Sequence, residues 1–275
     1  MKHREVLKNK NRIIVKVGTA LLTNESGNIN LLRLENLAQV ISGLQDSGKQ
    51  VILVSSGAVG AGIGKLKFPR KPESMVDKQA LAAIGQAALM RMYDTFFNEY
   101  DKTIGQVLLT RDGIENSKRR TNARNTILRM LELGVIPIIN ENDTVSTEEI
   151  EFGDNDLLSA MVANLVNADL LIILTNTHGV FTADPNIYLD AQPVSTVIKS
   201  KDDLKGINLE GQSQHGSGGM QTKIMAAELC LEKNIDTVIA QGTDPSMLLE
   251  IMNGKMEGTL FVSEATKLKV SKGHQ

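Results

Sequence analysis

Short apolar runs, many of them β-branched, alternate along the chain with longer stretches of helical periodicity. Seven runs predict β-strands: 12–17 (RIIVKV), 51–54 (VILV), 105–110 (GQVLLT), 135–140 (VIPIIN), 170–175 (LLIILT), 236–240 (DTVIA) and 259–262 (TLFV). Helical patterns fill the intervals at 31–48, 77–100, 122–134, 155–168, 218–234 and 245–254. Several strands are continuously apolar, which is typical of parallel strands covered on both faces. The pattern predicts one α/β unit on a mostly parallel sheet. A weak alternation at 144–154 (TVSTEEIEFGD) is consistent with a small hairpin.

Composition narrows the class of protein further. The 275 residues carry a net charge of −2 and are 41% apolar, so a sizeable core is expected and no basic field indicates nucleic acid. The basic cluster SKRRTNAR (117–124) is interpreted as lying on a solvated helix face or near an anion rather than at a nucleic-acid site, and the single cysteine, Cys230, as a small core residue. No stretch approaches the ~20 apolar residues of a membrane span. We expect a cytoplasmic protein that binds neither membrane nor nucleic acid.

The stretch VILVSSGAVGAGIGKL (51–66) predicts a strand that runs into a glycine-rich turn. It is not a Walker A loop, because Val59 stands where that motif needs its first glycine and Leu66 where it needs Ser or Thr. Gly60, Gly62 and Gly64 also lack the spacing of the dinucleotide fingerprint. Two interpretations stay open: a turn packed against a helix, or backbone N–H groups and Ser56 that receive an anion such as a carboxylate.

Two lysines stand beside glycines. Lys16 interrupts the apolar first strand just before Gly18, so it lies either on an exposed edge strand or at a strand end that reaches an anion. Lys223 falls in the first turn of the helix that follows the glycine-rich GSGG (216–219). Such a loop can bind phosphate through free N–H groups and the positive end of the helix dipole.

Acids and amides follow the fourth predicted strand, in NENDTV (140–145) and in FGDNDLLSA (152–160). One of Asp154 and Asn155 could simply cap the following helix, but a cap explains one residue and not the set. Carboxylates near two phosphate-seeking lysines suggest Mg²⁺, positioning of the lysines, or a cationic part of the substrate. Lone His178 is interpreted as a surface or hydrogen-bonded residue rather than a ligand. Together the features fit phosphoryl transfer, which needs positioning and charge neutralisation more than a protein nucleophile.

With these features the chain resembles the amino acid kinase family. The blocks that carry the resemblance are IVKVGTALLT, VILVSSGAVGAG, KQALAAIGQAALM, GQVLLTRDG, NARNTILRMLELGVIPIINENDTV, FGDNDLLSA, LTNTHGVFTADPN and GSGGMQTKIMAAELC, and they extend from about residue 12 to 262. NENDTV and FGDNDLLSA together are similar to the branch of that family that phosphorylates glutamate. The resemblance implies a three-layer αβα sandwich with an open, mainly parallel sheet of about eight strands. Residues 1–275 would form a single domain, with glutamate bound by about 1–165 and ATP by about 166–265.

The resemblance also implies roles for individual residues. The expected catalytic residues are Lys16, Lys223, Asp154 and Asp156. The expected glutamate-binding residues are Ser56, Gly57, Asn140, Asp143 and Asn155. The expected ATP-binding residues are Lys16, Thr175, Asn176, Ser217, Gly218, Gly219, Met220, Gln221, Thr222 and Lys223. Mg²⁺ would arrive through ATP rather than in a protein cage. Asn176 departs from the family, which usually has Asp at that position.

The resemblance also implies partners for the protein, and several rival functions stay open. The resemblance implies L-glutamate as substrate, proline as feedback inhibitor, and a homo-oligomer, either a dimer or a tetramer. Many relatives carry a C-terminal PUA domain, which we expect this chain to lack. Rival functions are a kinase of another acid such as N-acetylglutamate, a UMP kinase, or a non-catalytic amino-acid sensor. A UMP site should carry arginines for a second phosphate, and the glycine-rich stretch has none.

Overall fold

A computed structural model describes residues 2–24, 28–68, 72–145, 155–198 and 219–272. Nearly all of the predicted hairpin at 144–154 lies outside these residues. Within them, none of the helices is long and apolar enough to cross a membrane.

Eight strands form one sheet. They are Arg12–Val17 (β1), Gln50–Ser55 (β2), Ile104–Leu109 (β3), Ile136–Glu141 (β4), Leu170–Thr175 (β5), Thr196–Ile198 (β6), Asp236–Gln241 (β7) and Thr259–Val262 (β8). The seven predicted strands are confirmed, each with bounds within one residue of those expected. The eighth, β6, was missed because three residues are too few to give a periodic signal.

The strand order is β3-β4-β2-β1-β5-β7-β8-β6. The first six are mutually parallel, β8 runs antiparallel to β7, and β6 is parallel to β8. The prediction of an open, mainly parallel sheet is therefore confirmed. The chain winds outward in both directions from β1, which lies between β2 and β5. In such sheets the crevice beyond the carboxyl ends at the reversal point is the usual ligand site.

The helices account for most of the remaining described residues. A single 3₁₀ turn spans Val6–Asn9, and the α-helices are Lys2–Glu5 (α1), Thr19–Leu22 (α2), Leu31–Asp46 (α3), Ala58–Leu66 (α4), Met75–Asn98 (α5), Arg111–Glu115 (α6), Ser117–Glu132 (α7), Asn155–Val166 (α8), Met220–Leu231 (α9), Met247–Met252 (α10) and Glu264–Lys272 (α11).

Helices cover both faces of the sheet. On one face α3, α5 and α10 pack against alternate strand residues such as Ile13 and Val15 of β1. On the other face α7, α8 and α9 pack against the intervening residues, such as Ile14. The three-layer αβα arrangement is thereby confirmed. Cys230 is fully buried in the second layer, as predicted, and burial raises the pKa of its thiol to about 12.

The glycine-rich stretch after β2 is a turn only at its beginning. Gly57 has a φ of 102°, which favours glycine, and it directly precedes α4. The prediction of a longer glycine turn is wrong, because Gly60, Gly62 and Gly64 lie inside that helix. Gly62 is required for packing, because a Cβ added there would lie under 3.0 Å from the Leu81 carbonyl of α5. A Cβ on Gly85 would likewise meet the Ala58 carbonyl of α4. The two helices therefore touch backbone to backbone.

The basic cluster at 117–124 lies in the first half of α7. Ser117 to Asn122 and Arg124 are exposed, as expected of a solvated helix face. Asn116 caps this helix, because its side chain accepts a hydrogen bond from the backbone N–H of Arg119.

Candidate active site

Lys16 projects from the centre of the sheet. Its alternation with Ile14 places it on the face covered by α8 and α9, while Val15 and Val17 face the other layer. Lys16 as a whole is only 4% exposed. The interpretation of β1 as an edge strand is excluded, because β1 pairs with β2 on one side and with β5 on the other. The Nζ atom lies 2.5 Å from Oδ1 of Asp156.

Asp156 receives a second lysine on its other oxygen. It is the second residue of α8 and is fully buried, in the first turn where the helix dipole favours a negative charge. Oδ2 lies 2.9 Å from Nζ of Lys223 and accepts a hydrogen bond from Oγ1 of Thr222 at 3.2 Å. The two lysines that the sequence singled out, from the first strand and from the first turn of α9, thus meet at one carboxylate.

The neighbouring residue of α8 begins a cluster of amides. Nδ2 of Asn155 donates to Oδ1 of Asn140 and to Oγ of Ser56, each at 2.9 Å. Oδ1 of Asn155 is buried and accepts no hydrogen bond from the described residues. This oxygen is the atom that a helix cap would use, so the capping interpretation of Asn155 is wrong. The cluster joins the ends of β2 and β4 to the start of α8.

Two residues that sequence reasoning missed support this amide cluster from α5. Oε1 of Gln86 accepts a hydrogen bond from Nδ2 of Asn140 at 2.8 Å, and the hydroxyl of Tyr93 lies 2.8 Å from Oγ of Ser55. Burial raises the pKa of Tyr93. Both residues stand seven positions apart on one stripe of α5. A polar side chain on an otherwise buried helical stripe was the signal that could have identified Gln86.

Asp143 lies in the turn that follows β4, three residues after Asn140 in the sequence. Its side chain is half-buried and makes no hydrogen bond or ion pair with the described residues. Burial raises the pKa of Asp143 to about 6. A carboxylate held in this state gains from pairing with a cation, because pairing offsets the cost of desolvation.

The residues expected to bind the nucleotide are brought together only in part. Thr175 is buried at the end of β5 and donates from Oγ1 to Oδ1 of the exposed Asn176 at 3.3 Å. At the start of α9 the Gly219 carbonyl accepts a hydrogen bond from Thr222, Met220 is buried and Gln221 is exposed. Ser217 and Gly218, like the catalytic candidate Asp154, lie outside the described residues.

The described residues do not form a metal cage. No group of three or more His, Cys, Asp or Glu side chains among them could hold an ion, and each oxygen of Asp156 already contacts a lysine. Mg²⁺ usually needs only one or two protein carboxylates when substrate phosphates supply other ligands.

Comparisons with known proteins show the family of the chain. The model of the amino acid kinase family matches residues 11–241. A glutamate 5-kinase of Clostridium perfringens is 47% identical over 265 residues, covering 95% of this chain and 98% of the relative. A glutamate 5-kinase of Caldanaerobacter subterraneus is 50% identical over 251 residues, covering 91% of this chain and 68% of the relative.

Solved structures support the fold. The UMP kinase of Bacillus anthracis superposes with a TM-score of 0.64 over 93% of this chain and 97% of that protein. Its sequence is 18% identical, so the similarity concerns the fold alone.

Proposed function

The chain belongs to the amino acid kinase family, and from that premise we propose that it transfers the γ-phosphoryl group of ATP to the γ-carboxylate of L-glutamate. The product is γ-glutamyl phosphate, the first intermediate on the route from glutamate to proline. The observation that carries the proposal is the convergence of Lys16 and Lys223 on Asp156, directly beside the amide cluster at the start of α8. The relatives named glutamate 5-kinase support the choice of acid.

The reaction needs no general base from the protein. The γ-carboxyl group of glutamate has a pKa of about 4.3 and is ionised near neutral pH. One of its oxygens attacks the γ-phosphorus in line, the bond from that phosphorus to the bridging oxygen breaks, and ADP leaves with the electron pair. The main obstacle is the approach of one anion to another. Lys16 and Lys223 offset this repulsion with preorganised positive charge, and Asp156 fixes the position of both ammonium groups.

Each half of the sheet takes one substrate. The N-terminal half, about 1–165, holds glutamate: Ser56 and Gly57 receive a carboxylate, and Asn140, Asn155 and Asp143 surround its ammonium group. The C-terminal half, about 166–265, holds ATP at the end of β5 and the start of α9. The ATP contacts are Lys16, Thr175, Asn176 and the segment from Ser217 to Lys223, and Asp154 acts with Asp156 on the lysines. Mg²⁺, bound through the ATP phosphates, supplies further charge neutralisation.

Trapping of the acyl phosphate tests the function. The purified protein is incubated with Mg·ATP, hydroxylamine and one acid at a time, and the hydroxamate is measured by its iron complex. We expect product from L-glutamate and none from N-acetylglutamate or aspartate, and we expect no release of ADP when UMP replaces the acid. N-acetylglutamate lacks the ammonium group, so the half-buried Asp143 would stay unpaired against a neutral amide. Equal product from N-acetylglutamate would refute the choice of substrate, and no product from any acid would favour the sensor alternative.

Regulation and assembly follow from the resemblance and are proposals of the same kind. Proline competes at or near the glutamate site, so added proline should raise the apparent glutamate KM. An unchanged KM at millimolar proline would contradict this. The chain forms a homo-oligomer, a dimer or tetramer, which light scattering of the purified protein would test.

A further inference from the structure

Gln86 stands behind the proposed glutamate site rather than in it. It lies on α5, partly buried, and its Oε1 accepts a hydrogen bond from Nδ2 of Asn140 at 2.8 Å. The helix that carries it is held firmly at this level. Gly85 touches the backbone of α4, and Tyr93 contacts Ser55 one residue before the turn that starts α4.

The hydrogen bond to Gln86 determines which way the Asn140 amide points. Because Nδ2 of Asn140 faces the Gln86 acceptor, its Oδ1 faces the opposite side. There it accepts from the backbone N–H of Glu141 and from Nδ2 of Asn155, each at 2.9 Å. An amide group has one donor end and one acceptor end, so fixing one end fixes the other.

The orientation of Asn140 sets that of Asn155 in turn. Nδ2 of Asn155 donates to Asn140 and to Ser56, which leaves its Oδ1 on the other side of the group. This oxygen is buried, without a hydrogen-bond partner among the described residues. A buried acceptor of this kind is costly until a donor reaches it. The reversed amide would present an NH₂ group, which repels a cation.

We propose that Gln86 is a positioning residue for the substrate. Through Asn140 it holds Asn155 with its carbonyl oxygen towards the ammonium group of glutamate. The inference rests on the proposed glutamate kinase activity and adds a residue that touches no substrate atom. It acts on binding of the amino acid and leaves the phosphoryl-transfer group of Lys16, Lys223 and Asp156 unchanged.

The hydrogen-bonded chain from Gln86 through Asn140 to Asn155 is here called the relay. Replacement of the acceptor in Gln86 tests it. Gln86→Met keeps the length of the side chain and removes the acceptor, whereas Gln86→Glu keeps an acceptor oxygen. We expect Gln86→Met to raise the glutamate KM at least about tenfold, because Asn155 would lose its hydrogen bond to the charged ammonium group of the substrate. Its kcat at saturating glutamate and its ATP KM should stay near those of the wild type. Gln86→Glu should restore the glutamate KM to within about threefold.

Two further variants control for effects on folding. Gln45→Met removes a side chain of α3 whose Nε2 donates a hydrogen bond to the Gly134 carbonyl, and it should leave both KM values unchanged. Gln86→Lys puts a donor in place of the acceptor and should raise the glutamate KM as Gln86→Met does. If Gln86→Met is too unstable to purify, the glutamate KM of Gln86→Lys decides whether Gln86 positions Asn140. Thermal melting of each variant accompanies the kinetics.

The outcomes separate this inference from the proposed function. A wild type without glutamate kinase activity refutes the function, and the ammonium assignment falls with it. An active wild type combined with a normal glutamate KM in Gln86→Met, or in Gln86→Lys, overturns the relay alone. The relay is also overturned if Gln86→Glu loses affinity as much as Gln86→Met, because the acceptor would then be irrelevant.

Discussion

Lys16 and Asp156 form an ion pair that is almost completely shielded from water. Nζ and Oδ1 are 2.5 Å apart, and the two side chains are 5% and 0% exposed. The central strand β1 supplies the lysine and the first turn of α8 supplies the acid. A buried ion pair gives little net stability compared with apolar residues of the same volume. We therefore interpret the pair as a means of holding an ammonium group in place for the transferred phosphoryl group.

Replacement of Lys16 should abolish turnover without abolishing substrate binding. Lys16→Met fills the same volume but removes the charge that stabilises the transition state. We expect kcat to fall at least about 100-fold, with a much smaller change in the glutamate KM. Steady-state kinetics with the hydroxamate assay would measure both quantities.

A matched control exists at the opposite, amino-terminal ends of the central strands. Nζ of Lys10 lies 2.5 Å from Oδ2 of the fully buried Asp236, just before β1 and at the start of β7. Lys10→Met breaks a comparable buried pair and should lower the melting temperature while kcat stays normal. If Lys16→Met folded and kept a near-normal kcat, the catalytic role of Lys16 would be refuted.

The contact between α4 and α5 predicts a link between packing and substrate affinity. In Gly85→Ala the new methyl group would overlap the Ala58 carbonyl, so α4 must move. Overpacking of this kind costs about 1–3 kcal/mol of stability. Because Ser56 and Gly57 directly precede α4, the glutamate KM should rise as well, and melting curves and kinetics would show both effects.

Gly43→Ala supplies the comparison for that variant. Gly43 lies in α3, and a Cβ added there meets no atom within 4 Å. Alanine in the interior of a helix is favoured over glycine by about 0.5–1 kcal/mol, so this variant should be slightly more stable and kinetically normal. Gly85→Ala with wild-type stability and KM would mean that the helix contact is not a constraint on the site.

Much of the fold was predictable because its signals are local. Seven strands were found from runs of apolar residues, since strands buried on both faces leave a continuous signature. The helix α4 was missed because glycine is the poorest helix former after proline, and three of them lie inside it. One of them, Gly62, is required by the close approach of α5, which is a tertiary contact and leaves no trace in the local sequence.

In the site, too, some residues were identified by local sequence signals and others only by tertiary contacts. Lys16 and Lys223 stood out in the sequence as charges beside glycines, and their meeting at Asp156 follows from the topology of the sheet. Gln86 did not stand out, because a single amide in a helical pattern is ordinary. Its position on an otherwise buried stripe of α5 was the one signal in the sequence, and the 2.8 Å between its Oε1 and Nδ2 of Asn140 gives that position a reason.

The pKa of Asp143 sets up a last prediction about pH. Burial raises this pKa to about 6 in the free enzyme, well above the value of about 3.9 for an exposed aspartate. Above pH 6 the side chain is ionised and ready to pair with the ammonium group of glutamate. Below pH 6 it takes up a proton, and the free enzyme loses that partner.

The kcat/KM for glutamate should therefore fall as the pH is lowered through 6, approaching a tenfold loss per pH unit. Asp143→Asn removes the titrating group and keeps a side chain of the same shape. At pH 7.5 its kcat/KM should already be at least about tenfold lower, because a charge-assisted contact is lost. Between pH 5 and 7 this variant should vary much less than the wild type, since the substrate carboxylates, with pKa values near or below about 4.3, stay ionised there. The wild-type profile also contains any titration of ATP, which the variant shares, so the difference between the two profiles isolates Asp143. Parallel profiles for both proteins would mean that Asp143 does not bind the ammonium group, and the assignment of the free amino acid as substrate would lose its main support in the site.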